Sequence, residues 1–97
     1  MATVLVDAEN VRRSRWPNLG RDELEELCRR WAASHGHDVV VVWEQRGESA
    51  DDWIAQHARD HSPYWLVTSD RELRDRAGAD AERMIGGGSF LGELDAA

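Results

Sequence analysis

The chain has 97 residues, of which 41% are hydrophobic, and this length predicts one hydrophobic core and one domain over residues 1–97. Acidic residues (19) outnumber basic residues (12, all arginine), and the net charge of -7 argues against broad binding to polyanions. A chain without lysine cannot perform chemistry that requires a lysine amine. No apolar run approaches the roughly 18 residues of a membrane span, and no signal sequence opens the chain, so we expect a soluble, cytoplasmic protein.

The first predicted strand is the apolar, β-branched run Thr3 to Val6, which ends abruptly at Asp7. A carboxylate at the carboxyl end of a central strand lies in the crevice where open α/β sheets bind their ligands. Asn10 follows three residues later. The segment from Val11 to Gly20 has no hydrophobic period and contains Pro17 and Gly20, which predicts a long loop beside this strand end.

The remaining segments alternate between helical and strand patterns. Asp22 with Glu25 predicts the start of an amphipathic helix that ends at Gly36, and its apolar face includes Cys28, which we expect to be buried and unpaired. The later predicted elements are a strand from Val39 to Trp43, a helix opened by Ser49, a strand from Tyr64 to Thr68, a helix from Ser69 to Gly78 with a Ser69/Glu72 capping box, a weak strand from Glu82 to Ile85, and a short helix from Ser89 after the turn Gly86 to Gly88.

Strands that alternate with helices predict right-handed βαβ units and a parallel sheet. We therefore expect an α/β fold in which four parallel strands, in the order 2-1-3-4, form the middle of a three-layer α/β/α sandwich. The chain reverses direction between the first and third strands, so their carboxyl ends frame a crevice. Asp7 and Asp70 would face each other across it.

Three acids can converge at this crevice: Asp7, Asp70, and Asp51 in the first turn of the second helix. Crowded carboxylates raise one another's pKa unless a cation neutralises them, and hard oxygen ligands suit Mg²⁺ or Mn²⁺. Because Mg²⁺ shares its coordination shell readily with phosphate oxygens, the predicted substrate is a phosphodiester.

Three segments together resemble the successive signatures of the NYN domain, and most closely its YacP-like branch, which is related to the PIN-like ribonucleases. They are V-D-A-E-N-V at residues 6–11, S-A-D-D-W-I at residues 49–54 and V-T-S-D-R-E-L at residues 67–73. The resemblance runs from about Val4 to Leu94, and the motifs occur in the right order. It implies a PIN-like fold and a metal-dependent ribonuclease.

By this resemblance, Asp7, Asp51 and Asp70 coordinate Mg²⁺ or Mn²⁺, which activates water for attack on the backbone phosphate of single-stranded or structured RNA. Asn10 orients Asp7 or contacts the scissile phosphate. Thr68 and Ser69 shape the pocket. Arginines on the rim and nearby loops are expected to hold flanking phosphates: Arg12, Arg13, Arg15, Arg46 and Arg71.

The sequence departs from the family pattern in two ways. PIN-like nucleases often carry a fourth acid beyond the T-S-D motif, and the sequence leaves open whether Asp75, Asp80 or neither supplies it. The chain also has room for four strands where relatives commonly have five or more. A minimal domain of this kind suggests a homodimer contact at the exposed fourth strand or its helix.

Structural interpretations compete at several of these positions. Asp51 and Asp52 lie where acids favour a helix start, and Asp70 can act as an N-cap. His57 and His61 have the spacing of two zinc ligands but lack a third nearby. At the level of function, the alternative to a nuclease is a catalytically inactive domain that binds RNA or a protein partner.

Overall fold

The computed structural model describes residues 1–96, which form an α/β fold with a four-stranded parallel sheet. The strand order is β2-β1-β3-β4, as predicted from the sequence. The strands are β1 (Thr3–Asp7), β2 (Asp38–Val42), β3 (Tyr64–Val67) and β4 (Arg83–Ile85). The helices are α1 (Ala8–Arg12), α2 (Arg21–His35), α3 (Ala50–His57), α4 (Arg71–Ala77) and α5 (Gly87–Ala96), and a 3-10 turn (Ala58–His61) follows α3.

The sheet is covered on both faces, which is compatible with a three-layer sandwich. Side chains alternate along β1, so Val4 and Val6 face one core while Leu5 faces the other. The first core receives α1, α2 and α5 through residues that include Trp31 and Phe90. The second core receives α3 and α4, with residues that include Ile54, Leu73, Tyr64 and Leu66.

Strand β1 is central, and its register fixes which strand ends meet. Leu5 lies opposite Val40 of β2 on one side and Leu66 of β3 on the other. Because all three strands run in the same direction, their carboxyl ends reach one edge of the sheet. Strand β2 lies on one side of β1, whereas β3 and β4 lie on its other side. The chain therefore reverses its direction across the sheet between β1 and β3, and a crevice opens there at the carboxyl ends of these two strands.

The segment after β1 differs from its predicted loop structure. Helix α1 starts at Ala8, directly after Asp7, and only then gives way to the loop that leads to α2. Its buried side chains, Ala8 and Val11, are three residues apart and form a single helical turn. One turn is too short for a hydrophobic period to be recognised in the sequence. Helix α1 therefore brings Asn10 back towards the end of β1.

Helix α2 is the longest element, with 15 residues, and it begins earlier than predicted. Its N-cap is Gly20, and no side chain caps it, so the predicted cap by Asp22 and Glu25 is wrong. Gly36 ends the helix with a φ of +71°, as the glycine signal predicted, and Cys28 is buried and free. Across residues 1–96, none of the helices combines the length and the apolar character that crossing a membrane requires.

Helix α4 also begins differently from its prediction. It starts at Arg71 with Asp70 as N-cap, and the Asp70 carboxylate accepts hydrogen bonds from the backbone N–H groups of Glu72 (2.9 Å) and Leu73 (3.4 Å). The predicted capping box of Ser69 and Glu72 is therefore wrong. The prediction at α3 is confirmed, because the Ser49 hydroxyl accepts from the Asp52 N–H at 3.1 Å.

Candidate functional site

An open cavity of about 340 Å³ lies at the carboxyl edge of the sheet. Its acidic walls come from the ends of β1, β2 and β3 and the start of α3, and α1 closes one side. The lining residues are Asp7, Glu9, Asn10, Arg13, Ser14, Glu44, Asp51 and Asp70. The structure thus brings together all four of the residues predicted to be catalytic.

Asp7 is the last residue of β1 and is 5% exposed. The Thr68 hydroxyl donates to Asp7 Oδ2 at 2.8 Å and also accepts from the Asp70 N–H at 3.1 Å, so Thr68 joins the two acids. Burial raises the pKa of Asp7, and the hydrogen bond from Thr68 opposes this shift. The neighbouring carboxylates of Asp70, Glu44 and Glu9 raise it further.

Asp51 projects into the same cavity from the first turn of α3. Desolvation, then the charges of Asp7 and Asp70 and a hydrogen bond with the Asp70 carboxyl, raise the pKa of Asp51 to about 6. The five carboxylates of the cavity therefore carry more negative charge than its one arginine neutralises.

Asn10 is fixed by the loop that carries Asp70. Its Oδ1 accepts from the Ser69 N–H at 2.8 Å, and the Ser69 hydroxyl accepts in turn from the Gly87 N–H at 2.8 Å. With Oδ1 engaged by the backbone, the Asn10 amide NH₂ is the group left to donate within the cavity. Thus α1, the T-S-D segment and the start of α5 hold one another in place.

Thr68 and Ser69, which were predicted to shape the pocket, do not line the cavity themselves. Thr68 is fully buried and Ser69 donates and accepts within the protein, so both act through the neighbouring residues that they position. Arg74 supports the same segment by donating to the Thr68 carbonyl at 2.9 Å.

The five arginines predicted to bind phosphate lie in different environments. Arg13 lines the cavity and pairs with Glu9 at 3.0 Å. Arg12 is directed to Glu9 and to the Leu19 carbonyl, which makes it a support for the loop, and Arg15 pairs with Asp95 of α5. Arg46 and Arg71 are exposed and do not line the cavity.

Sequence reasoning missed two acids of the cavity, Glu9 and Glu44. Glu44 follows β2 almost directly, so the strand-end argument applied to Asp7 and Asp70 would have found it. Glu9 lies in α1, which was not predicted. Of the two acids considered for a fourth position, Asp80 pairs with Arg59 at 2.8 Å and Asp75 is exposed; neither lines the cavity.

A second cavity, of about 170 Å³, lies along the free edge of β2. Its walls are mainly Val40 to Trp43 with Trp53, and Glu48 supplies their single acid. Because carboxylates do not converge there, it offers no comparable chemistry.

The acidic residues share a cavity without forming a closed coordination shell. Within the described range 1–96, no group of three or more His, Cys, Asp or Glu side chains is positioned to hold a metal ion. The donor set is nevertheless of the right kind, because carboxylate and amide oxygens are the ligands that Mg²⁺ and Mn²⁺ prefer.

The raised pKa of Asp51 predicts a stability that falls as pH rises. The folded state holds the Asp51 proton up to about pH 6, whereas the unfolded chain releases it near 3.8, so stability is lost between these values. We expect Asp51→Asn to stabilise the protein at pH 8 by about 1 kcal/mol, after allowing for solvent screening, which is roughly 5 °C in melting temperature. The gain should vanish at pH 3.

Thermal melts in chelator at pH 3 and pH 8 measure this difference. Asp52→Asn is the matched control, because Asp52 is the next residue of α3 but pairs with Arg76 at 2.9 Å, which lowers its pKa. Its replacement should leave stability at pH 8 unchanged or reduce it. An Asp51→Asn variant that melts below the parent at pH 8 would contradict the proposed carboxyl repulsion.

Comparison of the chain with protein-family models, with curated proteins and with solved structures gives no match in any of the three.

Proposed function

We propose that this protein is a Mg²⁺- or Mn²⁺-dependent ribonuclease with a PIN-like fold, which hydrolyses RNA phosphodiester bonds in the acidic cavity. The observation that carries the proposal is the convergence of Asp7, Asp51 and Asp70. They come from β1, α3 and the loop after β3, and desolvation together with the charges of Asp7 and Asp70 raises the pKa of Asp51 to about 6. Each of these acids belongs to one of the three segments that resemble NYN signatures.

The electrostatics of the cavity favour a divalent cation. Five carboxylates line it, and Arg13 is the basic residue among its walls. The charges of Asp7 and Asp70 contribute to the raised pKa of Asp51, which shows that the carboxylates repel one another. A divalent cation would relieve this repulsion, and Asp7, Asp51 and Asp70 would hold it, with Glu44 and Glu9 adding negative charge nearby. When bound, the ion supplies Lewis-acid activation of water and of the phosphate oxygens.

The chain's own residues would position the substrate. The Asn10 amide, whose oxygen accepts from the Ser69 N–H, would donate from its NH₂ group to a phosphate oxygen. Arg13 is 66% exposed on its side chain, and its pair with Glu9 is weak enough to exchange for a phosphate. Thr68 keeps the Asp7 carboxylate in one orientation, which removes an ordering cost from the reaction.

The alternative function is a catalytically inactive domain that binds RNA or a protein partner. Two observations favour it: the net charge of -7, and the lack of a ready-made chelating group within residues 1–96. Against it, five carboxylates in one cavity cost stability unless a cation or a proton compensates them. The nuclease accounts for this arrangement, and the binding domain does not.

Metal dependence tests the proposal directly. Purified protein should cut single-stranded or structured RNA in millimolar Mn²⁺ or Mg²⁺, and excess chelator should stop cleavage completely. Asp80→Asn is the control variant, because Asp80 is an exposed acid that pairs with Arg59 outside the cavity, and it should cut as fast as the parent. If no RNA is cut under any of these conditions, the inactive binding domain is the better description.

A further inference from the structure

We propose that Trp16 is a stacking platform for one nucleobase of a single-stranded RNA whose backbone enters the acidic cavity. This inference deepens the proposed function and rests on it, since it takes the occupant of the cavity to be an RNA chain.

Trp16 is unlike the other four tryptophans. It is 87% exposed, so both faces of its indole are open to solvent. The others have partners: Trp31 is buried against Phe90, and Trp53 packs on His57. The rings of Trp43 and Trp65 are covered by guanidinium groups, and each indole N–H donates to a glutamate.

The position of Trp16 links it to the cavity. Arg13 and Ser14 line the cavity, and Trp16 is two residues beyond Ser14. Two Cα steps span at most about 7.6 Å. This is about the length of two stacked nucleotides at roughly 3.4 Å each. A base one or two nucleotides away from a phosphate in the cavity could therefore reach the indole.

The loop that carries Trp16 is anchored on both sides of it. The Ser14 hydroxyl donates to the Asn10 carbonyl at 2.7 Å, and the Leu19 N–H donates to the Arg12 carbonyl at 3.3 Å. Arg15 is tied to Asp95 of α5 at 2.5 Å. These contacts restrain the backbone that carries the Trp16 ring, so less conformational entropy is lost when a ligand binds there.

The charges around Trp16 favour RNA over a protein surface as its occupant. Arg13 and Arg15 precede Trp16 by three residues and one residue in a chain whose net charge is -7, and their side chains are 66% and 38% exposed. Guanidinium groups bind phosphates while an aromatic face stacks on a base, and this combination is typical of single-strand binding without sequence preference.

Binding without cleavage tests the inference. We expect a labelled 12-nucleotide RNA, titrated with Asp70→Asn protein in Mg²⁺, to bind about tenfold more weakly when Trp16→Leu is added. Trp16→Phe, which keeps an aromatic face, should cost no more than about twofold. Met84→Ala is the control, because Met84 is an exposed apolar residue on β4, and it should change nothing.

An RNA with single abasic positions separates stacking from a structural role. Removing the stacked base should weaken binding to the Trp16 protein about tenfold and should have no further effect on Trp16→Leu. If the Trp16 and Trp16→Leu proteins bind the intact RNA equally well, the inference is overturned, whether or not the parent cuts RNA. Absence of RNA binding by either protein also overturns it. If RNA binding depends on Trp16 but the parent protein does not cut RNA, the stacking site is supported and the proposed nuclease activity is contradicted.

Discussion

Replacing Asp7 with asparagine is expected to reduce RNA cleavage by roughly a thousand-fold or more while leaving the protein folded. The activity is lost because the carboxylate at the end of β1 is the most enclosed of the proposed cation ligands. Stability is retained because the asparagine oxygen can accept the same hydrogen bond from Thr68.

Asp7→Asn is expected to leave the free energy of unfolding unchanged or to increase it at neutral pH. Burial raises the pKa of Asp7, so the folded state binds a proton more tightly than the unfolded chain, and stability falls as pH rises through that window. Asparagine carries no such cost. The variant should therefore melt at or above the parent temperature at neutral pH in chelator, although it is inactive.

Two measurements complete this prediction. In single-turnover cleavage, Asp7→Asn and Asp70→Asn should both be inactive, and asparagine at position 70 preserves the cap of α4. In thermal melts, millimolar Mn²⁺ should raise the melting temperature of the parent and not that of Asp7→Asn, since only a protein that binds the ion is stabilised by it. Cleavage that survives both substitutions, or equal Mn²⁺ shifts, would contradict the site.

The strand order and the main acids could be predicted because they depend on local signals. The apolar runs that become β1, β2 and β3 are continuous, as is typical of strands covered on both faces, and Asp7 ends β1 while Asp70 lies three residues after β3. The alternation with helices then restricts the topology to a parallel sheet with right-handed crossovers. Position in the fold follows from these rules without knowledge of any side-chain contact.

The details that were missed depend on contacts between distant residues. Ser69 has the sequence of a helix cap, but its hydroxyl is taken by the Gly87 N–H, 18 residues away, and Asp70 caps α4 instead. Helix α1 has one buried turn, which a periodicity argument cannot detect. Of the five tryptophans, only Trp31 is fully buried, and the indole N–H groups of Trp43 and Trp65 donate to glutamates that are distant in the sequence.

Gly87 shows how such a distant contact can control the site, and Gly87→Ala is expected to lower cleavage by about a hundred-fold. A Cβ at this position would lie 2.4 Å from Ser14 Oγ, 3.0 Å from Asn10 Oδ1 and 3.4 Å from Val11 Cα. The Ser14 hydroxyl can rotate away only by giving up its bond to the Asn10 carbonyl. Asn10 must then shift, and a displacement of about 1 Å in a positioning group can cost this much rate.

Gly88→Ala is the matched control for this prediction. Gly88 is the next residue of α5 and has open space where a Cβ would be added, so alanine there should keep full activity and stabilise the helix by about 0.5–1 kcal/mol. Adding Ser14→Ala to Gly87→Ala removes the closest clashing atom and should restore part of the lost rate. The test is to measure the cleavage rates and melting temperatures of these three variants and of the parent. If Gly87→Ala cuts as fast as Gly88→Ala, the packing of α5 against α1 does not position Asn10, and the site must be held by β1 and the T-S-D segment alone.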